Sequence, residues 1–521
     1  MLRGILTVGG WTMASRLLGF GRDVLIAALL GAGPVADAFF VANRLPNLFR
    51  RLFGEGAFNA AFVPAFSGLL ASEGHDAAQK FAEQAAAVMT FWLLGLTVLA
   101  ELFMPYLMAV LAPGFAAIPA KFHLAVTLSR IAFPYMPLIC LTAPLSGVLN
   151  GLDRFAAAAA APVVYNLTSI AFMIGLLHLV PTPGHALAYG VSVSGVFQLL
   201  LVAWAVRRAG YRLHLPRPRL TPEMRLLLRR MAPGLLGAGV TQLNLSVDVI
   251  IGSLLPPGTV SVLYYADRIN QLPLGTIGAA VGTALLPTLS RQVVGKHPEE
   301  AIGTLNRAIE YALVLTLPAA LALTVAREPI LSVLFGRGAF DATAVYKSSQ
   351  ALAAYAIGLP AFVMVKVLIP GFFARGDTST PVKVGMASIG LNLALNLAFM
   401  GPLQHMGPPL SSSVAAWANV SALAWVLHTR GQFVVDAALN RRAARMLAAS
   451  LAMAVVLFGL QETVFPALAH HGQAARFLGL GILVGGGMAA YGAAGQALGA
   501  FDFRETLGRL GRRRGRAAAE G

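Results

Sequence analysis

Cysteine is almost missing: Cys140 stands alone among 521 residues. One thiol excludes an internal disulfide and any cysteine-built zinc site. Charge is the second shortage. Only 12% of the residues are Asp, Glu, Lys or Arg, about half the share of a soluble domain. With 57% hydrophobic residues spread from end to end, the chain does not read as a string of water-soluble domains. Acid is scarcer than base, 22 residues against 39, leaving a formal net charge of +17. The basic residues lie between apolar segments, which suits anionic lipid headgroups, and no nucleic acid partner is expected. Gly485-Gly486-Gly487 lacks the lysine and strand context of a phosphate loop. His123, His178, His185 and His405 lack metal-ligand spacing, so neither a metal site nor a cofactor is expected.

What the chain has is apolar length. A membrane-crossing helix takes about 20 mainly apolar residues. Fourteen stretches meet that need: 7–31, 36–70, 84–111, 123–149, 157–180, 185–207, 229–255, 259–289, 302–327, 344–373, 382–403, 409–430, 446–468 and 476–501. The second is long, and a break is expected near Gly54-Glu55-Gly56. Met1 to Ala32 starts basic and continues apolar, like a signal peptide. Arg16, Arg22 and Asp23 interrupt what would be its core, so a retained first span is expected. The predicted fold class is an all-α polytopic membrane protein with about 14 transmembrane helices.

Basic residues set the orientation. Eight arginines between Arg207 and Arg230 follow the sixth span, four follow the twelfth from Arg430, and six follow the last from Arg504. The connections near 113–119, 181–184, 256–258 and 404–409 hold no Lys or Arg. Positive charge marks the cytoplasmic side, so both termini and the even-numbered connections are assigned there. Arg327 and Arg337 are the exceptions. Between spans six and seven, Leu220 to Met231 carries a capping Thr221, Pro222, and apolar residues among basic ones. It reads either as a separate amphipathic helix in the membrane interface or as the start of the seventh span.

The two halves repeat each other at an offset near 225. Leu45-Pro46 recurs as Leu272-Pro273, and Val63-Pro64-Ala65-Phe66 as Leu286-Pro287-Thr288-Leu289. Pro113-Gly114-Phe115 matches Arg337-Gly338-Ala339-Phe340 with one insertion, Pro134 matches Pro360, and Asn166 matches Asn392. Six spans per copy is an even number, so the copies share an orientation, as parallel repeats of transporters do. The expected domains are an N-terminal lobe at 1–210, a connector at 211–231 and a C-terminal lobe at 232–431. A helix pair at 432–505 and a basic tail at 506–521 complete the chain.

Against this apolar background some spans carry charge. An ionisable group at bilayer depth is costly and normally faces a bundle interior or a water-filled cavity. Residues seven apart return to nearly the same helix face. Arg16 and Asp23 therefore share a stripe of the first span, and Asp37, Arg44 and Arg51 one of the second, with Arg50 turned away. The seventh span has Asp248; the eighth has Arg268 with Asp267 beside it. Two readings stand. The acids neutralise the arginines in structural pairs while long side chains snorkel, or the arginines line a cavity for an anionic substrate. Guanidinium supplies a fixed fork of donors matched to phosphate oxygens and stays charged when desolvated. Arg16, Arg22 and Arg268 are the central binding candidates, with Arg50 at a gate. Asp23, Asp37, Arg44, Arg51, Glu55, Asp248 and Asp267 are candidates for orienting or gating.

SRLLGFGRD at 15–23, DAFFVANRLPNLFRRLFGEGAFNAAFVP at 37–64, YYADRINQLPLG at 264–275 and FFARGDTSTPVKVG at 372–385 resemble the MurJ (MviN) family. The likeness covers about residues 3 to 505. It implies a transporter, not an enzyme: a lipid II flippase of the bacterial inner membrane, within the superfamily of multidrug and oligosaccharide-lipid exporters. It further implies two lobes in a V around a cationic cavity and a groove for the lipid tail on spans 13 and 14. The family's central arginines fall on Arg16, Arg22 and Arg268, its second-span features on Asp37, Arg50 and Glu55, and its first-span aspartate on Asp23. Arg44 stands where some members carry lysine. Dependence on membrane potential or a coupling ion, transient contact with the cell-wall synthesis machinery, and action as a monomer are also expected. Export of another polyprenyl-linked saccharide is the nearest alternative. A multidrug exporter sits badly with three central arginines, and a membrane glycosyltransferase would need a catalytic cluster.

Overall fold

In lipid every backbone N–H and C=O must be satisfied within its own segment, which favours helices for apolar runs of this length. The computed structural model describes residues 2–51, 57–212, 214–295 and 297–500, and no strand occurs among them. In chain order the first helices are α1 (Leu2–Leu30), α2 (Pro34–Phe49), α3 (Ala57–Ser72), α4 (His75–Leu102), α5 (Met104–Leu111) and α6 (Pro119–Ala132). Then come α7 (Tyr135–Gly151), α8 (Ala156–Gly175), α9 (Pro183–Arg208), α10 (Pro222–Leu254), α11 (Thr259–Val294) and α12 (Pro298–Val325). The last are α13 (Arg327–Leu334), α14 (Ala342–Phe373), α15 (Ser379–Phe399), α16 (Gly407–Thr429), α17 (Ala437–Ala469) and α18 (Gln473–Ala497).

Each of the fourteen apolar stretches falls on a helix or a pair of helices. Ten segments among the described residues are long and apolar enough to cross a membrane by themselves. Two stretches are broken where one helix each was expected. The third breaks at Phe103 and the fourth at Pro134, where the missing N–H interrupts the helical ladder. The break expected in the second, near Gly54-Glu55-Gly56, lies outside the described residues.

The chain forms two compact units, Met1–Ser261 with Arg337–Asp341, and Val262–Gly336 with Ala342 onward. In the first, Phe58, Phe62 and Phe66 rise one turn apart along α3 and stack at 5.1 and 5.8 Å, with Phe81 of α4 at 5.3 Å from Phe62. Tyr211, Met224, Leu227 and Met231 are buried in the same core. This decides between the two readings of Leu220–Met231. The stretch is the opening of the unbroken α10, capped by Thr221, whose Oγ1 accepts the Met224 N–H at 3.3 Å. Met224, Leu227 and Met231 pack on protein, while Leu220, Leu226 and Leu228 stay exposed.

The glycines of the repeated Pro-Gly-Phe and Arg-Gly-Ala-Phe segments are placed alike. A Cβ on Gly114 would lie 2.0 Å from the Ser253 carbonyl oxygen, at the end of α10. One on Gly338, at φ +59, would lie 2.3 Å from the Ala28 oxygen, at the end of α1. The Ala339 N–H donates to that same Ala28 oxygen at 2.8 Å. Gly114 thus seats a backbone approach to α10 and Gly338 one to α1, which no larger residue permits.

In the second unit α14 is largely buried. α17 and α18 pack on each other, and the Tyr491 hydroxyl of α18 donates to the Val314 carbonyl of α12 at 2.8 Å. Met453, Leu457 and Leu483 close around Ala326.

Candidate functional site

Two carboxylates of the first unit organise its charge. Asp23 on α1 is fully buried, and its Oδ1 accepts from Arg22 Nη2 at 2.9 Å and Nε at 3.3 Å. The Arg22 guanidinium also lies 5.1 Å over the ring of Tyr165 on α8. Tyr135 of α7 packs against that ring at 5.5 Å. Beside Tyr165, the Asn166 side chain donates to the Ser15 carbonyl at 3.0 Å and ties α1 to α8 two turns before Arg22. Arg22 is thus a permanent cation held between a carboxylate and an aromatic face, its side chain 12% exposed.

The seven-residue stripe matched Asp23 with Arg16, but the pair is made with the adjacent Arg22. A long guanidinium stem can curl back to a neighbouring carboxylate, a reach that face periodicity ignores. Arg16 itself is exposed on α1.

Asp37, buried in the first turn of α2, gathers donors from three other places in the chain. Its Oδ2 accepts from Lys121 Nζ of α6 at 2.6 Å and from the Gly258 N–H at 2.7 Å. Its Oδ1 accepts the Ser261 N–H at 2.8 Å and the Ser261 hydroxyl at 2.7 Å. Asp37 is 1% exposed and Lys121 4%, with the ammonium 4.0 Å over the Phe115 ring. Buried charge is tolerated when paired and fully hydrogen-bonded, as here. Asp37 also sits at the N-terminus of α2 and the first turn of α11, where the helix dipoles favour an anion.

The remaining candidates are less concentrated. Arg44 and Arg50 are half-buried and Arg51 is exposed. Arg50 closes α2 and donates from Nε to Asn47 Oδ1 at 3.2 Å. Glu55 lies outside the described residues. Asp248 on α10 is half-buried, as are Asp267 and Arg268 on α11 in the second unit. Gln271 donates to Asp267 at 3.2 Å. Glu310 on α12 pairs with Arg442 at 2.9 Å. That partner lies in the first turns of α17.

The FFARGDTSTP segment builds a different unit of charge. The Asp377 carboxylate accepts the Thr380 N–H at 2.9 Å and hydroxyl at 2.6 Å, and Arg430 Nη1 at 2.7 Å. Arg430 first, then Thr380, holds this carboxyl well below the usual carboxylate range. The cluster starts α15 and ties it to the end of α16.

Sequence reasoning missed Lys121, Ser261 and Tyr165. Lys121 had a signal: it stands two residues beyond a connection otherwise free of Lys and Arg. A lone cation there invites a search for a buried acid. Tyr165 had only its place beside the repeated Asn166. Ser261 had none. The arrangement as a whole offers fixed cations and acceptors for binding.

Comparison with known proteins gives the family. A family model described as lipid II flippase MurJ matches residues 26–476. The probable lipid II flippase MurJ of Rhizobium tropici is 41% identical over 525 residues, covering 100% of this chain and 98% of that one. The corresponding protein of Rhizobium meliloti is 44% identical over 496 residues, covering 94% and 92%. Among solved structures, a lipid II flippase MurJ in an inward closed conformation aligns with a TM-score of 0.78 at 23% identity, over 96% of this chain and 99% of that one. An inward-facing multidrug MATE transporter aligns with a TM-score of 0.67 at 16% identity, over 84% and 99%. That second likeness carries the fold alone.

Proposed function

The chain belongs to the MurJ family of lipid II flippases, and from that premise we propose how its own residues do the work. The protein moves lipid II from the cytoplasmic to the periplasmic leaflet, with both termini in the cytoplasm. The transported molecule carries an anionic pyrophosphate, a polar sugar-peptide head and a polyprenyl tail. No bond is made or broken.

Arg22 is the primary contact to the pyrophosphate. Asp23 and Tyr165 hold its guanidinium at a set place in α1, so little side-chain entropy is lost on binding. Arg16 on α1 and Arg268 on α11 add donors, and Arg50 at the end of α2 receives the headgroup. Asp37 works at the opposite end of α2, where its bonds to Lys121, Gly258 and Ser261 keep the helix ends together while the headgroup loads. Their release accompanies opening on that side, in an alternating-access cycle. The tail stays in lipid along α17 and α18. A membrane potential or coupling ion drives the return, with about 2.3 kcal/mol per charge for each 100 mV.

The observation that carries this reading is the Arg22 guanidinium clamped between Asp23 and Tyr165. The test is transport of lipid II by the purified protein in liposomes, with unrelated polyprenyl-linked sugars as competitors. Transport of lipid II by wild type and its loss in Arg22→Ala is the expected result. Full transport by a folded Arg22→Ala protein would remove Arg22 from the mechanism. Competition by any polyprenyl diphosphate, whatever its sugar, would move the recognition from headgroup to pyrophosphate alone.

A further inference from the structure

The chain between α9 and α10 is held to α4 by side chains that the transport cycle does not use. Gln79 donates to the Arg212 carbonyl at 3.1 Å, and Gln84 to the Arg219 carbonyl at 2.7 Å. Between them, Glu83 accepts the His214 N–H at 3.1 Å. Tyr211 anchors the start of the segment, buried against Phe66 with His75 stacked on it at 4.1 Å. A polar row on one helix therefore fixes the backbone of a segment with no regular structure of its own. Arg212, Arg217 and Arg219 of that segment are exposed, and so are Arg225, Arg229 and Arg230 in the first turns of α10 that follow it. From 207 to 230 the chain holds eight arginines and one acid, Glu223.

The chemistry between these arginines names the partner. Leu215 is 66% exposed and Leu220, Leu226 and Leu228 are exposed beside them. At the end of α9, exposed Trp204 carries the Arg208 guanidinium 4.6 Å over its ring, the amphipathic pairing found at headgroup level. A surface built for nucleic acid or a soluble acidic protein gains nothing from isolated exposed leucines. An anionic bilayer surface takes both, the guanidinium on phosphate and the leucine among the upper acyl carbons. The depth is right as well. Gln84 stands at the first residue of the predicted third span, so the Arg217 and Arg219 backbone it fixes lies at the bilayer boundary.

We propose that residues 207–230 form a docking surface for anionic phospholipid headgroups, strapped in place by Gln79, Glu83 and Gln84. The proposal rests on the membrane reading of the chain but not on its transported substrate. The full-length protein is placed in nanodiscs of mixed phosphatidylglycerol and phosphatidylcholine. After partial delipidation, the ratio of the two lipids retained is measured by mass spectrometry. Arg217→Gln/Arg219→Gln/Arg225→Gln is compared with Arg291→Gln/Arg307→Gln/Arg441→Gln, which removes the same charge from exposed sites elsewhere.

Wild type and the second variant are expected to retain phosphatidylglycerol preferentially. The first variant should lose at least about fivefold of that preference, the effect of one surface arginine worth about 1 kcal/mol. Salt near 1 M, where the Debye length is about 3 Å, should abolish it. Equal loss in both variants, or none in the first, overturns the proposal. The Gln84 bonds run to backbone carbonyls, so the substitutions leave the strap intact. Lipid II transport by the first variant in liposomes separates a failed docking surface from a failed transport assignment.

Discussion

Asp23 and Asp37 stand fourteen residues apart in one charged stretch, both buried, both beside a cation, and they do different things. Asp23 holds the arginine next to it and leaves that arginine facing an aromatic ring. Asp37 spends both oxygens on a lysine, two backbone N–H groups and a hydroxyl from elsewhere in the chain. The first is a local brace for a binding group; the second is a knot between distant segments. The difference teaches that a buried acid is read by the number and origin of its donors, not by its depth.

Four experiments sharpen or break that contrast. The largest effect is expected at the braced arginine. Arg22→Ala should lower lipid II transport by about 100-fold or more, the loss of two charge-assisted bonds of about 1.5–3 kcal/mol each, with thermal unfolding little changed. A large fall in stability with modest loss of transport would make Asp23–Arg22 a structural pair like the knot.

The knot should behave in the opposite way. Asp37→Ala leaves Lys121 buried without its carboxylate and should cost about 3–5 kcal/mol of stability. Asp37→Leu combined with Lys121→Met should recover much of it, since neither charge is then stranded. The check is unfolding of the purified variants in nanodiscs. Equal instability of single and double variants would mean that the backbone donors, not the lysine, are what Asp37 serves.

A smaller effect is expected at the aromatic face. Tyr165→Leu should weaken lipid II binding by several-fold, in keeping with about 1 kcal/mol for a cation over a ring. Tyr165→Phe should bind normally. If both lose binding, the hydroxyl matters and the ring contact does not.

The smallest concerns Asp377, a carboxylate braced by an arginine far along the chain. Its folded carboxyl titrates below the usual range. The stabilisation it gives is therefore complete above the unfolded value of about 3.9 and lost as pH falls below it. Asp377→Asn should be slightly less stable at neutral pH and show a flatter stability profile below about pH 4. An unchanged acid profile would show that Thr380 and the helix end suffice.

Much of this was legible in the chain. The apolar runs fall on helices among the described residues, because length and apolarity are what a bilayer demands of a segment. Thr221-Pro222 gave the start of α10, because capping is a matter of adjacent residues. Even the seating of Gly114 and Gly338 was foreshadowed by their repeat. Other features were hidden for stated reasons. Apolar residues at Met224, Leu227 and Met231 suit lipid and protein equally, so the fate of that stretch needed its neighbours. Helical periodicity assigned Asp23 a face, and the guanidinium stem reached around it.

Sequence by itself determined that this chain is a bundle of membrane helices carrying arginines where lipid would not tolerate them, and which family it belongs to. Both follow from composition and order along the chain. Only the tertiary structure decided which acid meets which base. Asp37 and Lys121 are 84 positions apart, and Coulomb attraction depends on distance in space, which folding sets and spacing in sequence does not.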